Sequence, residues 1–95
     1  MGKKYRIAIS PDAEKVLDDI YKYIGELSVS AVLKLEREIT RALSYLVDNP
    51  RIYPESKHVP GMRKCLVKKY IVFYDIIEAE SMVYITHIMH GSQNY

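Results

Sequence analysis

The stretch from Tyr70 to Tyr95, YIVFYDIIEAESMVYITHIMHGSQNY, restricts what this chain can fold into more than any other. It reads as two long apolar strands around a short acidic turn at Glu78 to Ser81, running out into a polar tail that carries a histidine. Val, Ile, Tyr and Thr dominate both runs, and β-branched and aromatic side chains suit a pleated, half-buried surface. Everything before this hairpin reads as cover for it.

The length of 95 residues, with 48% hydrophobic and 27% charged side chains, suits one compact domain over residues 1–95, since such a chain buries one core and not two. No apolar run approaches the roughly 20 residues that a membrane-spanning helix needs. The start, MGKKYRIAIS, has too short an apolar stretch for a secretory signal, so the expected location is the cytoplasm, without membrane contact. Cys65 is the only cysteine and has no internal disulfide partner, which fits a reducing compartment.

Net charge is only +2, but its distribution is uneven. Asp12 to Glu26 holds five acids and two bases, whereas Ser56 to Tyr74 holds Lys57, Arg63, Lys64, Lys68 and Lys69 and no acid. A basic segment beside strands attracts phosphate or an acidic protein segment. Lysines also solubilise sheet edges against aggregation, so charge alone leaves both readings open.

In chain order, Tyr5 to Ile9 reads as a first strand that ends at Ser10-Pro11-Asp12, a helix start. Ser accepts a bond from a free backbone N–H, Pro fits the first turn and Asp complements the dipole. Ala13, Val16, Leu17, Ile20 and Ile24 then fall on one helical stripe, with charged residues on the rest. Gly25 is the expected terminator, and Ser28 or Ser30 caps a second, antiparallel helix. That helix runs to about Asp48, before Asn49-Pro50, and buries Val32, Leu35, Ile39, Leu43 and Leu46, with Lys34 and Glu38 as an i,i+4 pair outside.

Pro50 to Met62 carries three prolines and Gly61 without either periodicity, so it is the one long loop. Arg63 to Val67 reads as a short strand, Lys68-Lys69 as a tight connection, Tyr70 to Ile77 as a central strand and Met82 to His90 as the last. Short turns make these strands antiparallel neighbours. The expected fold is α+β in the order β-α-α-β-β-β, with an αα-hairpin on one face of a small antiparallel sheet and the other face partly open for function.

Candidate chemistry lies at the end of the sheet. His87 and His90, three apart on a strand, point to opposite faces and so cannot chelate one ion without a bulge; neither metal nor cofactor is expected. Strict alternation puts His87 with Val83, Ile85 and Met89 as a packed structural histidine, and His90 with Tyr84, Thr86 and Ile88. His90, beside Gly91, is either a contact or proton-transfer group or an exposed histidine with no task. Tyr70, Tyr74, Tyr84 and Tyr95 offer stacking surfaces or a phenol for proton transfer, but strand tyrosines mostly pack, with their hydroxyls bonded. Arg63 shares a strand face with Cys65 and Val67, which points to partial burial against either a buried ion-pair partner or a phosphate. Cys65 reads as inert.

Taken together, ISPDAEKVLDDIYKYI, LSYLVDNPRIYP, GMRKCLVKKYIVFYDI and VYITHIMHGSQNY resemble, over nearly the whole chain, the RelE/ParE superfamily of bacterial toxin–antitoxin toxins, close to members labelled plasmid stabilisation proteins. The resemblance implies a helical hairpin on an antiparallel sheet and a cognate antitoxin as partner, whose extended or helical segment wraps the toxin. It also implies one of two activities: ribosome-dependent cleavage of messenger RNA, without a metal, or inhibition of DNA gyrase. In the nuclease members, basic residues on the sheet and a His or Tyr near the C-terminus support attack of a ribose 2′-hydroxyl on the adjacent phosphate. Carried over, Arg63 would hold the phosphate, Lys64, Lys68 and Lys69 would assist nucleic-acid binding, and His90 or Tyr95 would handle the proton.

Ile71 and Asp75 stand where relatives often carry arginine, and Ser92-Gln93 stands for a frequent Arg-Arg. The leading expectation is a type II toxin that cleaves messenger RNA on the ribosome. The alternatives are a non-catalytic gyrase inhibitor and a degenerate member that only binds an antitoxin.

Overall fold

The computed structural model describes residues 3–57 and 59–91. Strand β1 is Arg6–Ile9, helix α1 Pro11–Leu27, helix α2 Val29–Asp48, β2 Arg63–Val67, β3 Tyr70–Ile77 and β4 Met82–His90. The strands lie in the order β1-β4-β3-β2. As expected, β2, β3 and β4 form an antiparallel meander, and the helical hairpin covers one face. The sheet as a whole is mixed, because β1 runs parallel to β4. The helical hairpin and meander between β1 and β4 are long enough for a crossover, whereas tight turns dictate antiparallel pairing only between neighbours.

Ser10 joins strand to helix. Its Oγ accepts from the Ala13 N–H at 3.1 Å, which caps α1, and donates to the Thr86 carbonyl at 3.0 Å, while its own N–H bonds the Ile85 carbonyl at 2.9 Å. Pro11 then occupies the first helical position, where a missing N–H costs nothing. Gly25 does not end α1. It lies inside the helix, facing Val32 of α2, where a Cβ would sit 3.6 Å from Val32 Cγ1, an ordinary contact, so the helix packing does not demand glycine there. Ser28 makes the break: its N–H bonds the Ile24 carbonyl at 2.8 Å, and its Oγ accepts from Ala31 N at 3.1 Å to cap α2. Outside, Glu38 pairs with Arg41 at 3.9 Å, one turn on, instead of the expected Lys34.

Ala13, Leu17, Leu35, Ile39 and Leu46 of the helices meet Cys65, Val67, Val72, Tyr74, Val83, Ile85 and Ile88 of the sheet in one core. Cross-strand register then assigns the other, open face. It carries Lys64 and Leu66 of β2, Ile71, Phe73, Asp75 and Ile77 of β3, Met82, Tyr84, His87 and Met89 of β4, and Arg6 and Ala8 of β1.

A β-bulge decides the face of each β4 histidine. Phe73 pairs with His87 but Tyr74 pairs with Ile85, so Thr86 is the extra residue. Its Oγ1 lies 3.2 Å from the Phe73 carbonyl and so provides a partner where the ladder opens. Past the bulge the alternation is reversed: Ile88 joins the core with Val83 and Ile85, His87 and Met89 face the open side, and His90 faces the helix side. The expected packing of His87 beside Val83 and Ile85 is thereby corrected, and His87 is exposed.

Candidate functional site

The long loop is fastened to the sheet by polar anchors that composition alone hides. Arg63 Nη1 donates to the Tyr53 carbonyl at 2.6 Å, and the buried Tyr74 hydroxyl donates to the Pro50 carbonyl at 2.6 Å. Lys64 N donates to the Pro54 carbonyl at 3.4 Å and Ser56 N to the Met62 carbonyl at 2.6 Å, so part of the loop runs along the outer edge of β2. Burial pushes the Tyr74 phenol up to about 12, with the nearby Arg63 guanidinium pulling the other way. Cys65, fully buried, has its thiol raised by desolvation, against a bond from Tyr53 that lowers it, so burial disfavours the thiolate. Tyr53 in turn is raised by the Cys65 contact and by burial.

The guanidinium of Arg63 thus has a backbone carbonyl as its partner, where an acid or a phosphate was expected. It lies on the helix-covered face, in register with Tyr74. His90 lies on the same face in register with Tyr70, its ring edge-on to the tyrosine at 5.4 Å. Four residues of β3 separate these rows, which at about 3.3 Å per residue is ~13 Å. Lys64 points to the opposite, open face. Lys68, in the left-handed conformation, and Lys69 form the turn between β2 and β3. Gly91 N bonds the Lys69 carbonyl at 2.6 Å; a Cβ at Gly91 would lie 3.0 Å from that oxygen, so glycine permits this end of β4 to close on the turn. Lys69 and His90 are thereby neighbours, at the far end of the sheet from Arg63. Tyr95 and the Ser92-Gln93 pair lie outside the described residues.

Two concave surfaces border the sheet among the described residues. A groove of about 770 Å³ runs between Val16, Ile20, Tyr23 and Leu27 of α1 and the strand ends at Tyr70 and His90. A smaller pocket of about 390 Å³ opens on the uncovered face, with Val59 and Met62 of the loop above Phe73, Thr86, His87 and Met89 of the sheet. Phe73 is buried to 4% exposure there, although no helix covers it. Strict alternation hides this pocket, because it sends His87 and Met89 to the wrong face; the only hint in the sequence is the polar Thr86 amid apolar residues. Among the described residues no three His, Cys, Asp or Glu side chains gather to hold a metal ion, and no helix is long and apolar enough to cross a membrane.

A helical hairpin on one face of a four-stranded mixed sheet, with the second face open, is the fold of the type II toxins of the ParE/RelE superfamily. The family model described as ParE toxin of type II toxin-antitoxin system, parDE, matches residues 7–95, and the chain belongs to that family. Among solved structures it is similar to one of the chromosomal ParDE system from P. aeruginosa, with a TM-score of 0.77 and 17% identity over 94% of this chain and 98% of that one. The isolated E. coli RelE toxin superposes with a TM-score of 0.64 and 16% identity over 95% of this chain and 87% of the other. The RelBE2 complex from Mycobacterium tuberculosis gives 0.62 and 20% identity over 95% and 94%. No match was found among curated proteins.

Proposed function

We propose that this type II toxin acts without catalysis, as a ParE-like inhibitor of DNA gyrase in the cytoplasm, and that an antitoxin encoded by a neighbouring reading frame neutralises it. One observation carries this reading: the arginine expected to hold a phosphate is engaged by the Tyr53 carbonyl on the helix-covered side, while the face without helices carries buried Ile71 and Phe73 and the acid Asp75 in place of cations. Cleavage of RNA needs cationic and proton-transfer groups converging within hydrogen-bond reach of one phosphate. Arg63 and His90, ~13 Å apart along the strand direction and on opposite sides of β3, do not converge in that way. A face with an apolar centre and charged groups such as Lys64 and Asp75 around it instead suits protein recognition. The match to the parDE family and the likeness to the P. aeruginosa ParDE structure support the same side.

The test is a supercoiling assay with purified protein and gyrase, run beside mapping of messenger RNA ends after induction in cells. The expected outcome is lost supercoiling with intact messages. Ribosome-dependent cuts in messages with unaffected supercoiling would instead support the nuclease, with Arg63, His90 and Tyr95 as its catalytic candidates and Lys64, Lys68 and Lys69 as its RNA contacts. Arrest would then fall by about 10²-fold in His90→Ala, the loss expected for a proton-transfer group; under our reading His90→Ala arrests growth as the parent does.

A further inference from the structure

Building on the reading of the chain as a toxin that binds a protein target, we propose that the pocket beneath Val59 and Met62 is the target contact, taking one bulky apolar side chain that the target presents beside a carboxylate. At about 390 Å³ the pocket is near the small end of ligand sites, which run from roughly 300 to 1,000 Å³. Its lining is Val59, Met62, Phe73 and Met89 with Thr86 and His87, and the surface presented is almost wholly apolar, with little of it from the Thr86 hydroxyl. The hydroxyl is already bonded to the Phe73 carbonyl, so it makes little demand on an occupant. Met62 and Met89 are unbranched and polarisable, and adapt to the shape of an aromatic or aliphatic guest.

The charge pattern selects the neighbour of that guest. Lys64, Phe73 and His87 form one row across the sheet, so the apolar floor has a cation on one side and an imidazole on the other. Asp75, the acid on this face of β3, lies two residues further along and accepts a bond from the Ile76 N–H at 2.8 Å. The rim therefore favours a carboxylate over a cation next to the inserted side chain. Leu66, on the same face and 65% exposed, extends the apolar surface beyond the socket, which fits a protein segment better than an isolated small molecule.

Val59→Asp and Met62→Lys alter walls that are partly exposed, so the fold tolerates both, and thermal melting checks that it has. Each is expected to weaken gyrase inhibition and growth arrest at least about tenfold, as truncation of a hot-spot contact does. Lys64→Glu should weaken them more than Lys64→Gln, and Leu33→Lys, on the outer face of α2, should change neither. Folded variants that inhibit gyrase as well as the parent would overturn the pocket and leave the gyrase reading standing. A parent that arrests growth but leaves gyrase untouched would remove that reading; the pocket then stands if Val59→Asp loses arrest and falls if it does not. Variants that arrest growth but escape the antitoxin would assign the pocket to neutralisation and overturn it as a target contact. A parent inert in both assays overturns both proposals.

Discussion

Tyr74 shows at the residue scale how a strand tyrosine becomes structural. It is fully buried, its hydroxyl donates to the Pro50 carbonyl, and it stands in register with Arg63, which anchors the same loop. Raised to about 12 when folded, against an ordinary value near 10, the phenol binds its proton more tightly in the native state than in the unfolded chain. The stability this contributes is complete below about pH 10 and is lost as pH rises toward 12, because there the unfolded state releases the proton first. At about 1.4 kcal/mol per unit, the loss across that window amounts to roughly 2–3 kcal/mol. An absorbance titration of the native protein should show a late phenol that Tyr74→Phe removes. Tyr74→Phe should also cost about 1–2 kcal/mol at neutral pH, since the Pro50 carbonyl loses its donor. That tyrosines in these strands would be bonded packing residues was legible from their type. Which carbonyl each would find was not, since the partner sits 24 residues away in a loop without periodicity.

At the scale of elements, the boundaries were legible because strong local signals set them: Ser10-Pro11 and Asn49-Pro50 around the helices, and the turns at Lys68-Lys69 and Glu78 to Ser81 within the meander. Two features had no local signal. The parallel pairing of β1 with β4 joins residues about 76 apart, a contact that depends on the whole chain closing. The bulge at Thr86 leaves the composition of β4 unchanged yet exchanges the faces of every residue beyond it, and so moved His87, Met89 and His90 together. Gly25 was misjudged for a related reason: a glycine at a helix end and a glycine inside the last turn look alike in sequence. The caps offer a test of the same distinction. Ser10→Ala and Ser28→Ala each remove an N-cap, a loss of about 1 kcal/mol. Ser10 is buried and also holds the Thr86 carbonyl at the bulge, so Ser10→Ala should be the more destabilising by a further ~1 kcal/mol in thermal or urea unfolding. Equal losses would mean that the bulge needs no anchor from the Ser10 hydroxyl.

For the whole molecule, the question is whether Arg63 acts through chemistry or through architecture. Its strand ends the sheet, its guanidinium holds Tyr53, and that contact keeps the loop in the place from which Val59 and Met62 cover the open face. The sequence placed Arg63 at partial burial correctly, but it offered no way to choose among an acid, a phosphate and a carbonyl as partner, because only the folded loop supplies the last. Arg63→Ala leaves that carbonyl without its charged donor, a cost of about 1–3 kcal/mol. In a domain of this size, each 1 kcal/mol corresponds to a melting shift of about 4–8 °C. The architectural role predicts that toxicity and melting temperature fall together, and that growth arrest by Arg63→Ala recovers when induction is carried out about 15 °C cooler, where the loop reforms. A group that stabilises a transition state behaves otherwise: its loss persists at every temperature at which the protein is folded, with the melting temperature little changed. Measuring arrest and melting for the same variant at two temperatures therefore separates the two roles, and persistent loss of arrest in a well-folded Arg63→Ala protein would return the argument to nuclease chemistry.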